Sequence, residues 1–478
     1  MCIRDSHYVN VDDGYFGKRD DNGIMHTHEQ RFPNGMKPIA DYVHGLGMKA
    51  GLYTDAGNST CGSMWDNDAA GVGAGIYGHE PQDAQLYFGD WGFDFIKIDY
   101  CGGDALGLNE KERYTSIRNS IDKVNKDVSI NICRWAFPGT WAKDAATSWR
   151  ISGDINAHWG SLRYVVGKNL YLSAYAGNGH YNDMDMMVIG FRNDSKVGGQ
   201  GLTPTEEEAH FGLWCIMSSP LLIGCNLENM PDSSLELLTN KELIALNQDP
   251  LGLQAYVAQH ENEGYVLVKD IEQKRGNVRA VALYNPSDTI CSFSVPFSSL
   301  EFGGNVKVRD LVKHSDLGNF SGTFEQTLPA HSAMFLRIEG ETRLEPTLYE
   351  AEWAYLPLFN DLGKNPKGII YAHDKEASGK MKVGFLGGQP ENYAEWREVY
   401  SENGGRYDMT IHYLYGKGRQ IELDVNGIIT KIDSLGEDNG HNQITVPVEL
   451  KAGYNTIRMG NSYNWAPDID CFTLTKAL

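Results

Sequence analysis

No stretch of this 478-residue sequence stays apolar over the roughly 20 residues needed to cross a bilayer, which argues against a membrane partner. Basic charge is also scarce. Lys and Arg number 42 against 63 Asp and Glu, a formal net charge of -21 with no basic run, which excludes binding to a phosphate backbone and hence nucleic acid. There is no Cys-x-x-Cys and no His-x-x-x-His pair, so a zinc site is not expected, and no cofactor is expected for catalysis. Low-complexity segments and solenoid repeats are missing too. The opening Met1-Cys-Ile-Arg-Asp-Ser6 has no apolar signal-peptide core and runs quickly into a strand-like segment. This predicts that the natural N-terminus is missing, in which case the lack of a signal peptide carries no information about export.

What is present is enough apolar surface for several cores. Hydrophobic residues make up 41% and aromatics 11%, and the length implies two to four domains. Ten Trp and 25 Tyr suit sugar stacking, although aromatics that simply fill cores explain most of them. From residue 7 to 250 short apolar strands alternate with helical spacing, the pattern of parallel strands joined by helices. Seven strands are expected, at 7–11, 49–54, 95–99, 129–133, 149–152, 179–183 and 221–224. Helices are expected at 36–46, 82–91, 110–124, 162–174, 205–217 and 241–248. Polar residues gather at the C-terminal ends of the strands, which favours a (β/α)8-type barrel lacking its first strand over a doubly wound sheet. Seven strands cannot close an eight-stranded barrel, so two unpaired edges should remain. Residues 251–342 read as a small antiparallel β domain, and residues 347–478 as a β-sandwich of jelly-roll type.

Asp99 ends the strand Phe95-Ile-Lys-Ile-Asp99 and precedes Tyr100-Cys-Gly-Gly103, which places its carboxylate beside a tight turn. Lys97 shares its face by the two-residue period, where its ammonium would keep Asp99 ionised; the alternative is a structural ion pair. Asp154 follows a strand and Gly153, so it could face Asp99 as the second carboxylate of a glycosidase, or cap the next helix. A retaining glycosidase needs two carboxyl groups about 5 to 5.5 Å apart, one to attack the anomeric carbon and one to protonate the leaving oxygen. Asp12–Asp13 and the cluster Asn182, Asp183 and Asp185 offer acceptors for sugar hydroxyls, with turns, caps or a divalent metal as alternatives.

Together these segments resemble glycoside hydrolase family 27, the family of α-galactosidases and α-N-acetylgalactosaminidases. The resemblance rests on Val11-Asp-Asp-Gly14, Arg31-Phe-Pro-Asn-Gly-Met36, Gly51-Leu-Tyr-Thr-Asp-Ala-Gly57, Lys97-Ile-Asp-Tyr-Cys101, Trp149-Arg150 through Asp154, Asn182-Asp-Met-Asp-Met186 and Asn247-Gln-Asp-Pro250, and covers residues 7 to 340. It implies Asp99 as nucleophile, Asp154 as acid/base, and Asp12, Asp13, Tyr53, Lys97, Arg150 and Asp185 as lining of a sugar pocket. It also implies a cystine between Cys61 and Cys101, which points to a secreted or periplasmic setting.

The sequence departs from that family in four places. The usual opening strand with its Gly-Trp-Asn-Ser-Trp-like motif is absent. Arg134, in Cys133-Arg-Trp135, replaces a Glu that reads the sugar 2-hydroxyl, which puts the substrate in doubt and adds Arg134 to the candidate binding residues. Tyr100 and Tyr181 stand where other residues are usual, and Cys133 lacks its partner cysteine. The tail resembles a family 35 or family 6 carbohydrate-binding module through Tyr349-Glu-Ala-Glu352 and Asn464-Trp-Ala-Pro-Asp-Ile-Asp470. That resemblance implies a structural calcium near Glu350, Glu352 and Asp470 and sugar contacts from Asn464 and Trp465; Trp465 packed inside the sandwich is the alternative.

The expected function is retaining hydrolysis of terminal α-linked galactosyl residues from an oligo- or polysaccharide. Isomalto-dextranase and β-L-arabinopyranosidase activities belong to the same chemistry. A non-catalytic carbohydrate-binding protein on an incomplete barrel is the alternative of a different class.

Overall fold

A computed structural model describes residues 7–191, 200–362, 368–433 and 440–477. The chain divides into two compact units, one of Met1–Ile155, Gly179–Val188 and Pro220–Leu227, the other of Asn156–Asn178, Ile189–Ser219 and Glu228–Leu478.

The first unit is built on six parallel strands in chain order: β1 (Tyr8–Asn10), β2 (Lys49–Asp55), β3 (Phe95–Asp99), β4 (Ser129–Ile132), β5 (Ser148–Arg150) and β6 (Tyr181–Asp183). Their register explains the site. Tyr53 pairs with Lys97, Lys97 with Asn131, Asn131 with Ser148 and Ser148 with Tyr181, so one face of the sheet carries a polar row. Asp55 and Asp99, two residues further on, pair on the same face. The other face carries Leu52, Ile96, Ile98, Ile130, Ile132 and Trp149, all buried. Each side chain fully removed from water contributes about 1.5–3 kcal/mol, so the apolar face supplies the stability that the polar face spends. Helices Lys37–Gly45 and Glu110–Asp122 connect these strands. Gly51 is needed for space, because a Cβ there would lie 1.9 Å from Asn10 Oδ1 on the neighbouring strand.

This is an incomplete (β/α) barrel, as expected, with six parallel strands instead of the expected seven and with two corrections. The segment at 221–224 forms no strand but only an isolated parallel bridge between Met187 and Ile223. Pro220 just before it has no N–H to give a ladder, and pairing is confined to the one bridge, held by the Met187 N–H to the Leu222 carbonyl and the Gly224 N–H to the Met187 carbonyl. Among the described residues β1 and β6 are the two sheet edges, consistent with the expected open barrel; residues 1–6 lie outside the described residues. The segment expected as one helix over 82–91 is an α-turn, Glu80–Ala84, followed by a π-helical segment, Gln85–Asp90.

In the second unit, helices Trp159–Asn169, Pro204–Ile216 and Lys241–Asn247 are followed by an antiparallel six-stranded sheet running from Tyr256 to Arg343. Its core gathers Val266, Leu283, Phe293, Val306 and Ile338. Beyond it, residues 348–476 form a β-sandwich. Asp468–Lys476 and Gly405–Leu414 are central in one sheet; Gly453–Gly460 and Gln420–Val425 are central in the other. Trp396, Ile411, Ile457 and Phe472 fill the space between them.

Candidate active site

Asp99 is 5% exposed and its Oδ1 has no hydrogen-bond partner, an arrangement that costs free energy in a folded core and leaves one oxygen free for an incoming atom. Burial pushes its carboxyl above the usual range, opposed by the Lys97 ammonium and by hydrogen bonds from the Cys133 thiol and Tyr53. Lys97 Nζ lies 3.1 Å from Asp12 Oδ2 and 5.4 Å from the centre of the Tyr53 ring. Burial works against the ammonium, but Asp99 and Asp12 more than offset it and hold Lys97 charged. Asp12 in turn is held below the usual carboxylate range, because Lys97 and the Asp13 N–H outweigh burial. Asp13 takes a different part. Its Oδ2 accepts the Gly62 N–H at 2.9 Å and its Oδ1 the Gly14 N–H at 2.7 Å, which ties the loop after β1 to the loop after β2.

Arg150, 3% exposed, is the organising cation. Its Nη2 lies 2.9 Å from Asp154 Oδ1 and 2.9 Å from Asp185 Oδ2, and its Nη1 lies 3.8 Å from Cys133 Sγ. The thiol that touches Asp99 thus also touches the guanidinium that holds Asp154. Asp185 sits at φ +76°, a left-handed backbone that favours glycine, and also accepts the Ile155 N–H at 2.9 Å, which fixes the turn carrying Asp154. Asp154 keeps 71% of its side chain in solvent. It caps nothing, because the following helix takes His158 as its N-cap. Beneath the site Asp183 accepts from Asn131 at 2.7 Å, and Trp149 donates to Asn182 at 2.7 Å.

Cys61 and Cys101 form the expected disulfide, with α-carbons 5.2 Å apart and a sequence separation of 40. Closing a loop of that length stabilises the folded chain by about 4 kcal/mol in the chain-entropy account. The loops it joins already touch backbone to backbone, since a Cβ on Gly57 would lie 2.0 Å from the Gly102 carbonyl carbon. Cys133 is free and buried, as expected. Arg134, expected among the binding residues, gives its Nε to Glu110 at 2.9 Å and its Nη2 to Asp104 at 3.2 Å while stacking over Tyr100. Tyr100 is fully buried and donates to the Leu108 carbonyl at 2.7 Å.

Two residues in this neighbourhood carry no role in the sequence reading. Cys133 is one. Asp55 is the other: fully buried, its Oδ1 accepts the N–H groups of Gly57 at 2.6 Å and Gly102 at 3.1 Å, so one carboxylate braces both loops. Burial lifts its carboxyl to about 7 despite those hydrogen bonds, with Asp99 adding repulsion. A carboxyl raised in the folded state favours folding when protonated, so its contribution is lost as pH rises from about 4 through 7, at up to about 1.4 kcal/mol per pH unit. Asp55→Asn keeps an acceptor for both N–H groups and removes the charge. Melting temperatures of the two proteins between pH 4 and 7 should show a shallower decline with pH for the variant; parallel curves would show that Asp55 does not titrate there.

The sandwich holds a second acidic group. Glu350, Glu352 and Asp470 are 5%, 1% and 6% exposed, and Glu350 Oε2 and both Glu352 oxygens have no hydrogen-bond partner. Burial pushes Glu350 to about 7, Glu352 well above the usual range, and Asp470 to about 6. Ligand atoms of Glu350, Asp470 and Cys471 lie within 4.8 Å of one another. Among the described residues no Lys or Arg pairs with these carboxylates. Trp465 is 45% exposed and edge-on to Phe385, itself 46% exposed, with Tyr463 at 78%; Asn464 is exposed beside them. That exposure rules out Trp465 as a core residue of the sandwich.

Residues 4–249 match the family model described as alpha galactosidase A, and residues 264–338 the model of the alpha galactosidase C-terminal beta sandwich domain. The chain is 35% identical over 355 residues to alpha-galactosidase A of Cellvibrio japonicus, covering 69% of this chain and 82% of that protein. It is 37% identical over 330 residues to alpha-galactosidase 3 of Arabidopsis thaliana, covering 68% and 71%. Among solved structures, alpha-galactosidase I from Mortierella vinacea aligns with a TM-score of 0.62 at 26% identity, covering 71% of this chain and 88% of that one. With the polar strand ends and the Asp99–Cys133–Arg150–Asp154 chain in place, these matches settle the family: the chain belongs to glycoside hydrolase family 27, the α-galactosidase family.

Proposed function

We propose that this protein releases terminal α-linked galactosyl residues from oligo- or polysaccharides with retention of configuration. The observation that carries the reading is Asp99, a buried carboxylate with one unpartnered oxygen beside Lys97, on the same Cys133–Arg150 chain that holds the solvent-open Asp154. In the first step Asp99 attacks the anomeric carbon while Asp154 gives its proton to the leaving oxygen, forming a glycosyl ester. In the second, Asp154 takes a proton from water, which attacks the same carbon and releases Asp99. Lys97, Asp12 and Asp13 supply donors and acceptors for sugar hydroxyls. Aryl α-galactoside, aryl β-L-arabinopyranoside and isomaltotriose compared side by side test this. The galactoside should be turned over fastest; preference for either of the others moves the assignment within the family, and binding without cleavage of any of them refutes an enzyme.

For the sandwich, we infer a carbohydrate-binding module with a structural calcium. Hard carboxylate oxygens, several without partners in a buried site, fit that ion, with Glu350, Glu352 and Asp470 as its holders; it would supply charge neutralisation and no chemistry. Calcium in excess should raise the melting temperature by several degrees and a chelator should reverse it, as binding to the folded state alone stabilises by mass action. Glu352→Gln should abolish the calcium response. The exposed Trp465–Phe385 pair supports sugar contact there, and the Cys61–Cys101 cystine supports an oxidising, secreted or periplasmic setting.

A further inference from the structure

A cleft of about 540 Å³ in the second unit lies outside everything described so far. Its aromatic wall is a stack of three rings: His260 and Tyr265 have centroids 4.1 Å apart at 17°, and Tyr265 and Tyr284 6.1 Å apart at 28°. Tyr284 and His260 both line the cleft, and the buried Tyr284 hydroxyl and His260 Nδ1 have no hydrogen-bond partner. Buried polar atoms without partners are costly unless something else meets them.

Around this wall stand Arg163, Lys375 and Lys380 against one acid, Glu263. Among the described residues none of the three cations forms an ion pair. In a chain of net charge -21 a local excess of unpaired positive charge is unusual and raises the local concentration of anions. The cleft continues along helix Trp159–Asn169 into a shallower recess of about 420 Å³ that shares Arg163 and Gly167 with it and is flanked by Tyr164, 51% exposed. Gly160 and Gly167 both line that recess, seven residues apart and thus on one helix face. A glycine inside a helix costs about 1 kcal/mol relative to alanine. Nothing lies within 4 Å of where a Gly167 Cβ would be, so that glycine is not required by packing and instead leaves the recess open.

We propose that this cleft binds an acidic saccharide, carboxylated or sulfated, whose sugar rings pack along the edge of the three-ring stack and whose anionic groups meet Arg163, Lys375 and Lys380. Apolar ring surfaces suit the aromatic wall, and the length of the joined recesses suits a chain of several residues rather than a single ion. The site lets the enzyme hold charged stretches of a heteropolysaccharide while galactosyl branches are removed elsewhere on the chain, a use that rests on the hydrolase reading above.

The test is calorimetric titration of the full chain with oligogalacturonate, sulfated galacto-oligosaccharide, neutral galacto-oligosaccharide and inorganic sulfate. One or both anionic oligosaccharides should bind, the tighter of them naming the source of charge, and binding should weaken steeply with added salt. Arg163→Ala with Lys375→Ala, and separately Lys380→Ala, should each lower that affinity at least about tenfold, with melting temperature and aryl α-galactoside turnover unchanged. Gly167→Trp, which fills the recess, gives an independent loss. Equal binding of the neutral oligosaccharide, displacement by sulfate alone at equal concentration, or full affinity in the variants overturns the proposal. Loss of galactosidase activity with this binding intact would instead refute the hydrolase reading and leave the cleft assigned.

Discussion

Asp99→Asn should lower turnover of aryl α-galactosides by at least about 10⁴-fold, or about 5 kcal/mol of barrier, because an amide cannot form the glycosyl ester. The substitution is nearly isosteric, and the site around it is held by other residues: Arg150 by Asp154 and Asp185, Lys97 by Asp12. The folded state should therefore survive, and burial that now raises the Asp99 carboxyl would no longer oppose a charge. Burial outweighs the Lys97 ammonium and the hydrogen bonds at Asp99, so an amide at 99 removes a net cost of burying charge and the melting temperature should hold or rise. Steady-state rates and melting curves for the two proteins check both halves. Asp99→Gly adds a sharper readout. With azide present, the small anion should enter the vacated space and attack the anomeric carbon directly, giving β-galactosyl azide by a single inversion. Activity near wild type in the Asn variant, or no azide adduct from the Gly variant, removes Asp99 from the nucleophile position.

How much of this was readable in the chain depends on how local each feature is. The sequence 95–99 displays Lys97 and Asp99 two residues apart on an apolar strand, and the two-residue period alone puts them on one face. Their union with Arg150 follows from strand order, which alternation with helices makes nearly obligatory in a parallel sheet. Cys133 was legible as an unpaired cysteine but not as a thiol between Asp99 and Arg150, because that contact depends on how far β4 runs relative to β3. Asp55 lies inside a quoted motif, yet its bracing of Gly57 and Gly102 needs the two loops in three dimensions. The run at 221–224 resembles a strand by composition, and composition does not report that its pairing stops at the single bridge of Ile223 with Met187. The cleft with Arg163, Tyr265 and Lys375 joins residues more than 200 positions apart, with no pattern along the chain to announce it.

Asp154→Ala should separate substrates by their leaving groups. The environment divides the two carboxylates: Asp99 is enclosed, whereas Asp154 leaves 71% of its side chain in water, where a group that must lose a proton and regain it each cycle can exchange with solvent. A leaving oxygen that is a poor base needs little help in departing, so kcat/KM for a dinitrophenyl galactoside should fall less than about tenfold, while an unactivated galactosyl disaccharide should lose about 10³-fold. The second step loses its base for both, so kcat should fall for the activated substrate as glycosyl-enzyme accumulates, and a burst of phenol should precede the slow steady state. Azide needs no base and should restore turnover, this time giving α-galactosyl azide through two inversions, opposite to the product expected from Asp99→Gly. Arg150 would then keep Asp185 as its partner, so the turn at 154 should hold and the fold should be unaffected. Equal losses on both substrates, with no rescue by azide, would place Asp154 in a structural role beside Arg150 and send the search for the acid to another carboxylate on the same strand ends, with Asp185 and Asp183 the first to substitute.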